Sequence, residues 1–161
     1  AYEIYMGVWS SDVCSSDLIK EPLLDVLGAR DATASRLLSD ASFRILAAAA
    51  VELTRAGSSC VLEGNFRSGE HESLLAAACE QARKVVQVLC RVEEPLRIER
   101  LRSRAADVSR HPGHRDAEQA AASGSRAADA FLDLPGERLL CEDGIIQPDL
   151  LQKLDGRLKR A

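Results

Sequence analysis

From residue 19 onward, apolar positions follow two alternating rhythms: long stretches with three- and four-residue steps, and short unbroken apolar runs between them. Leu38 to Ala56 places Phe43, Leu46, Ala50 and Leu53 on one helical face, and Gly57 supplies the stop. Ser59 to Glu63 and Val85 to Cys90 are short β-branched and apolar runs without alternation, which predicts strands covered on both faces. Between them, Glu70 to Arg83 is alanine-rich and helical. Pro95 suits the first turn of a helix running to about Arg104, with Leu101 as its core contact. Asp116 to Leu132 reads as a further helix that Gly124 weakens, and Leu139 to Cys141 as a third short strand. Pro148 opens a last helix whose buried stripe is Leu150, Leu151, Leu154 and Leu158. This alternation predicts an α/β domain, with a parallel sheet and helices on both faces.

Composition narrows the picture. With 161 residues and 46% hydrophobic content, the chain suits one domain with a core of its own. Its net charge of −4 argues against a general nucleic-acid binder, which needs positive charge to displace counterions from phosphates. The charge is unevenly spread: residues 91 to 115 carry seven arginines and four acids, a local +3 that leaves −7 elsewhere. A positive field in an acidic body suits a small polyanion. No run approaches a membrane span, and no basic-then-apolar leader opens the chain, so neither membrane nor export is expected. The five cysteines form no CxxC pair and no metal-ligand spacing, which fits a reducing cytoplasm.

In parallel sheets, ligands bind beyond the carboxyl ends of the strands, which draws attention to Glu63, Gly64 and Asn65 and, after the next strand, Arg91. A carboxylate at that position can order a magnesium-bound water or accept a proton from an attacking hydroxyl, and Gly64 lets substrate approach the backbone. A purely structural Glu63, capping the next helix or pairing with an arginine, is the competing reading. Arg97 and Arg102 belong on a solvated face. Arg100 and Arg104 lie one turn apart and could converge with Arg110 on phosphate oxygens. His111 and His114 lack further ligands for zinc, so no metal site is expected there.

The strings IKEPLLDVLG, VLEGNFR, VVQVLCR, LRIERLRSRA and RHPGHRD, in that order, resemble the P-loop kinase-like, AAA-type ATPases grouped with zeta toxins, chloramphenicol phosphotransferase and gluconate kinase. The resemblance implies a three-layer, doubly wound parallel sheet. It also implies a cytoplasmic phosphotransferase that uses ATP and Mg²⁺ on a small-molecule phosphoryl acceptor. By the same resemblance Glu63 is the strand-end carboxylate near metal and acceptor, and Asn65, Arg67 and Lys20 line the acceptor side, Lys20 from a loop. Arg100 and Arg104 run into an arginine-rich lid over about residues 97–116, with Arg110 to His114 at its tip. Arg104 and Arg110 would serve catalysis, and Arg100 the nucleotide.

One part of the family pattern is missing. Gly7 and Gly28 are the only glycines before residue 57, and neither belongs to a G-x-x-x-x-G-K-[ST] phosphate loop. In its place Trp9 to Leu18, WSSDVCSSDL, resembles the translation of a common sequencing adapter. Residues 1–18 are therefore read as a non-native leader, and 19–161 as a truncated kinase-like domain lacking the central first strand. That reading predicts a chain that is inactive or feeble, and strands that have lost their shared partner. A non-catalytic α/β interaction module is the alternative.

Overall fold

The computed structural model describes residues 11–28, 31–108, 111–114, 116–121 and 130–142. Strand β1 (Ser11–Ser15) leads directly into α1 (Ser16–Leu27). The Ser15 hydroxyl accepts from the Asp17 amide at 3.2 Å, and Asp17 adds negative charge to the positive end of the helix. Gly28 ends α1 at φ 70, a conformation that favours glycine. The segment read as adapter-like thus forms β1 and the first turn of α1, and Lys20, expected in a loop, lies on that helix, half-buried.

Helix α2 (Ala32–Arg55) starts six residues before the predicted Leu38, because Asp31 caps it by accepting from the Ala34 amide at 2.8 Å. Its inner face carries Leu46, Ala47 and Ala50, all buried. Ser42, also buried, donates to the Leu38 carbonyl at 2.7 Å and so brings no unmet polar group into the core. Strand β2 (Ser59–Glu63) follows, then α3 (Glu72–Gln81), β3 (Val86–Arg91) and α4 (Glu94–Ala105). A 3₁₀ turn (Pro112–His114), the short α5 (Asp116–Ala121) and β4 (Glu137–Glu142) complete the described elements. The predicted helix Asp116–Leu132 is corrected at its far end: residues 130–136 are not helical, and Leu132 is buried in the approach to β4. The predicted last helix after Pro148 lies outside the described residues, as does Arg110.

The strands are parallel, as expected, but a single doubly wound sheet is not what forms. Among the described residues there are two two-stranded sheets, β1–β2 and β3–β4. The first is in register from Ser11 opposite Ser59 to Ser15 opposite Glu63, the second from Val86 opposite Glu137 to Arg91 opposite Glu142. Without a shared strand, the predicted burial on both faces fails too. Val61 and Val88, central in their strands, are 46% and 44% exposed.

Among the described residues, the segment before β4 joins the two sheets. Leu132 is buried against Ala47 of α2 and Leu75 of α3, with Leu62 of β2 and Leu134 packed around them. The Gln87 side chain of β3 grips this segment from the other side, accepting from the Leu132 amide at 3.1 Å and donating to the Leu134 carbonyl at 3.0 Å. Gly136, at φ 122, closes the approach: a Cβ there would fall 2.5 Å from the Val85 carbonyl oxygen. No described helix is long and apolar enough to cross a membrane.

Candidate active site at the end of β2

Glu63 ends β2 opposite Ser15, the last residue of β1 and the cap of α1. Parallel pairing in register therefore brings the carboxylate to the start of a helix. The Ser15 hydroxyl donates to Glu63 Oε2 at 2.5 Å. Glu63 remains exposed, so its other oxygen is available to a second donor. Gly64 has the closest surroundings in the loop: a Cβ would lie 3.0 Å from Phe43 Cε1 and from Ser16 Oγ.

The loop beyond Gly64 is held by His71. This imidazole is buried, packs at a tilt against Phe43 with ring centres 4.2 Å apart, and meets Phe66 edge-on at 5.9 Å. Its Nδ1 accepts from the Arg67 amide at 2.9 Å, which assigns the ring proton to Nε2. Asn65 and Arg67 are consequently exposed on an anchored loop beside Glu63, and the Arg67 guanidinium reaches Glu70 at 3.4 Å. Glu72 completes the anchor, accepting from the Gly69 amide at 2.9 Å and the Asp133 amide at 3.2 Å. These amide bonds, Gly69's foremost, hold its carboxyl down to about 2 against an ordinary 4.5.

Arg100 and Arg104 lie one turn apart on α4, Arg100 half-buried and Arg104 exposed, while Leu101 between them faces inward as predicted. Arg97 pairs with Glu94 at 3.6 Å on the same helix. Arg102, read from the sequence as merely solvated, lines two shallow depressions, one with Glu94, Pro95 and Ile98, the other with Ala105 and residues of α5. Glu63 borders neither of them.

Sequence reasoning missed how the His111–His114 turn is seated. His111 Nδ1 accepts from the Gly113 amide at 3.1 Å, so Nε2 carries the proton given to Asp25 at 3.0 Å. His114 Nε2 meets Glu21 at 2.6 Å, and its Nδ1 lies 3.9 Å from Asp17. Asp17, Glu21 and Asp25 are spaced i, i+4, i+8 on α1, so one helical stripe of carboxylates receives the turn. A Cβ at Gly113 would strike Leu24 of the same helix, which shows how closely the backbone approaches. The stripe was legible in the sequence; its partners were not. Among the described residues, no group of three or more His, Cys, Asp or Glu could hold a metal ion.

No protein-family model matches this sequence. No curated protein matches it either. Among solved structures, a candidate kinase from Chloroflexus aurantiacus J-10-fl is similar over 94% of this chain and 84% of its own, at 25% identity and a TM-score of 0.76. The chain therefore has a mixed α/β, kinase-like fold.

Proposed function

We propose that this chain carries the acceptor and lid side of an ATP-dependent small-molecule phosphotransferase. The observation that carries the reading is Glu63, an exposed carboxylate at the carboxyl end of a parallel strand, already accepting a hydroxyl proton donor at 2.5 Å. A phosphoryl acceptor presents the same kind of group, and Glu63 is the residue proposed to take its proton. Asn65 and Arg67, on the loop that His71 and Glu72 anchor, are proposed to orient the acceptor, and Lys20 to approach it from α1. Arg100 and Arg104 are proposed to neutralise transferred phosphate from α4, together with Arg110. The likeness to a candidate kinase supports this class of reaction.

The residues present do not fit the nucleotide. No glycine-rich loop with a following lysine occurs in the sequence, so nothing in it matches the amide cradle that holds ATP phosphates in this class of enzyme. The proposal is accordingly that this chain alone is inactive or feeble. Calorimetric titration with ATP and magnesium is expected to give no saturable binding, and tight binding would overturn that statement. Fused behind a strand and a G-x-x-x-x-G-K-[ST] loop, the chain is expected to phosphorylate a hydroxyl acceptor. Glu63→Gln should then slow transfer by roughly 10² to 10⁴. A fused enzyme indifferent to that substitution ends the role given to Glu63.

A further inference from the structure

We propose that Cys90 and Cys141 form a reversible cross-strand disulfide, making the β3–β4 sheet a site of thiol oxidation. The two are direct partners in the parallel register. Strand neighbours lie about 4.8 Å apart, inside the roughly 4.4–6.8 Å between Cα atoms that a disulfide spans. Being in register, they stand on the same face of the sheet. Neither is in a disulfide. Cys141 is 3% exposed, whereas Cys90 is open to solvent, so a reagent reaches one sulfur and the second waits behind it.

The other cysteines provide the contrast. Cys14 and Cys60 also lie on paired strands, but Cys60 stands opposite Asp12 and Cys14 opposite Leu62. That offset of two residues puts them roughly 8 Å apart on strand geometry, beyond disulfide reach. Cys79 sits on α3, away from either sheet's register.

With glutathione disulfide as oxidant, the Cys90 thiolate attacks one glutathione sulfur, forming a mixed disulfide and releasing the first glutathione thiolate, which takes up the proton Cys90 lost. The Cys141 thiolate then attacks the Cys90 sulfur, expelling the second glutathione as a thiol. The protein loses two electrons and two protons, and one glutathione disulfide becomes two glutathiones. Although Cys90 is exposed, partial desolvation of its sulfur and the neighbouring Cys141 push the thiol up, so the first step quickens as pH rises. The bond would lock the sheet one residue before Arg91 and Glu142, fixing the carboxyl ends of both strands.

The test uses the intact, folded chain. It is incubated with glutathione disulfide, then denatured, alkylated and mapped by mass spectrometry. Two of the five thiols should be lost, with one linked peptide pair joining Cys90 to Cys141, and dithiothreitol should restore all five. Cys90→Ser should abolish the loss, and Cys14→Ser, Cys60→Ser and Cys79→Ser should each leave it intact. Because mapping of the unsubstituted chain identifies the pair directly, a variant that fails to fold does not shelter the idea. Five alkylatable thiols after oxidation of the folded protein, or a link between any other pair, would overturn it.

Discussion

The two small sheets are built from the same kind of unit, a parallel strand pair, yet they are supported very differently. β1–β2 backs onto α2, whose buried Leu46, Ala47 and Ala50 lie among the core residues that also include Leu75 and Ala78 of α3, and Phe43, Phe66 and His71 fill the corner beside the loop. Among the described residues, β3–β4 rests on a small cluster of Leu139, Cys141 and Val86. A parallel pair gains stability mainly from what covers its faces, since its hydrogen bonds largely replace bonds to water. The half with the helical backing carries the candidate site, and among the described residues the other half is tied to it through Leu132 and Gln87.

The sharpest way to break that contrast is to remove a core side chain from each half. Leu46→Ala, at a fully buried position, should cost about 2–5 kcal/mol in urea unfolding, and Leu139→Ala a smaller loss within or below that range. Equal losses would mean that the halves are supported alike. Next comes the attachment. Gln87→Ala leaves the Leu132 amide and the Leu134 carbonyl without their partner and should cost about 1–3 kcal/mol. Hydrogen exchange should show the loosening first in β3 and β4, and an effect spread evenly over α2 would count against a separate second sheet.

The smallest effect expected concerns pH. Glu72 titrates lower in the folded chain than in the unfolded one, so the unfolded state binds its proton first as acid is added. Its stabilisation is complete above about 4.5 and is lost as pH falls towards about 2. Unfolding midpoints across that window should fall more gently in Glu72→Gln than in the unsubstituted chain. Identical slopes would show that the anchor contributes nothing through its charge.

Much of this was legible in the sequence, and the failures have identifiable physical causes. β2, β3 and the α4 core contact Leu101 follow from local patterns, although β2 and β3 are not covered on both faces as their apolar runs implied. The division into two sheets does not follow from local pattern, because a run of apolar residues specifies a strand without specifying what lies at its edge; only the family resemblance, with its central strand missing, pointed to strands that lack a shared partner. α1 is hard to read from sequence because Pro22 interrupts its pattern, and Ser15 as its cap lies within the adapter-like stretch Trp9–Leu18. For the site, the strand-end position of Glu63 was readable. Its contact with Ser15, 48 residues away, and that of His114 with Glu21, 93 residues away, were not, because such contacts leave no local periodicity.

Gly64 carries a consequence for anyone who would alter this region. With an aromatic ring and a serine hydroxyl both 3.0 Å from where a side chain would begin, the peptide after Glu63 runs close against two helices, and a substituent there would have to push the ring or the hydroxyl aside. Variation in what the neighbourhood recognises must therefore enter from Asn65 onward, where the chain turns outward, while residue 64 fixes how near the carboxylate stands to the long helix.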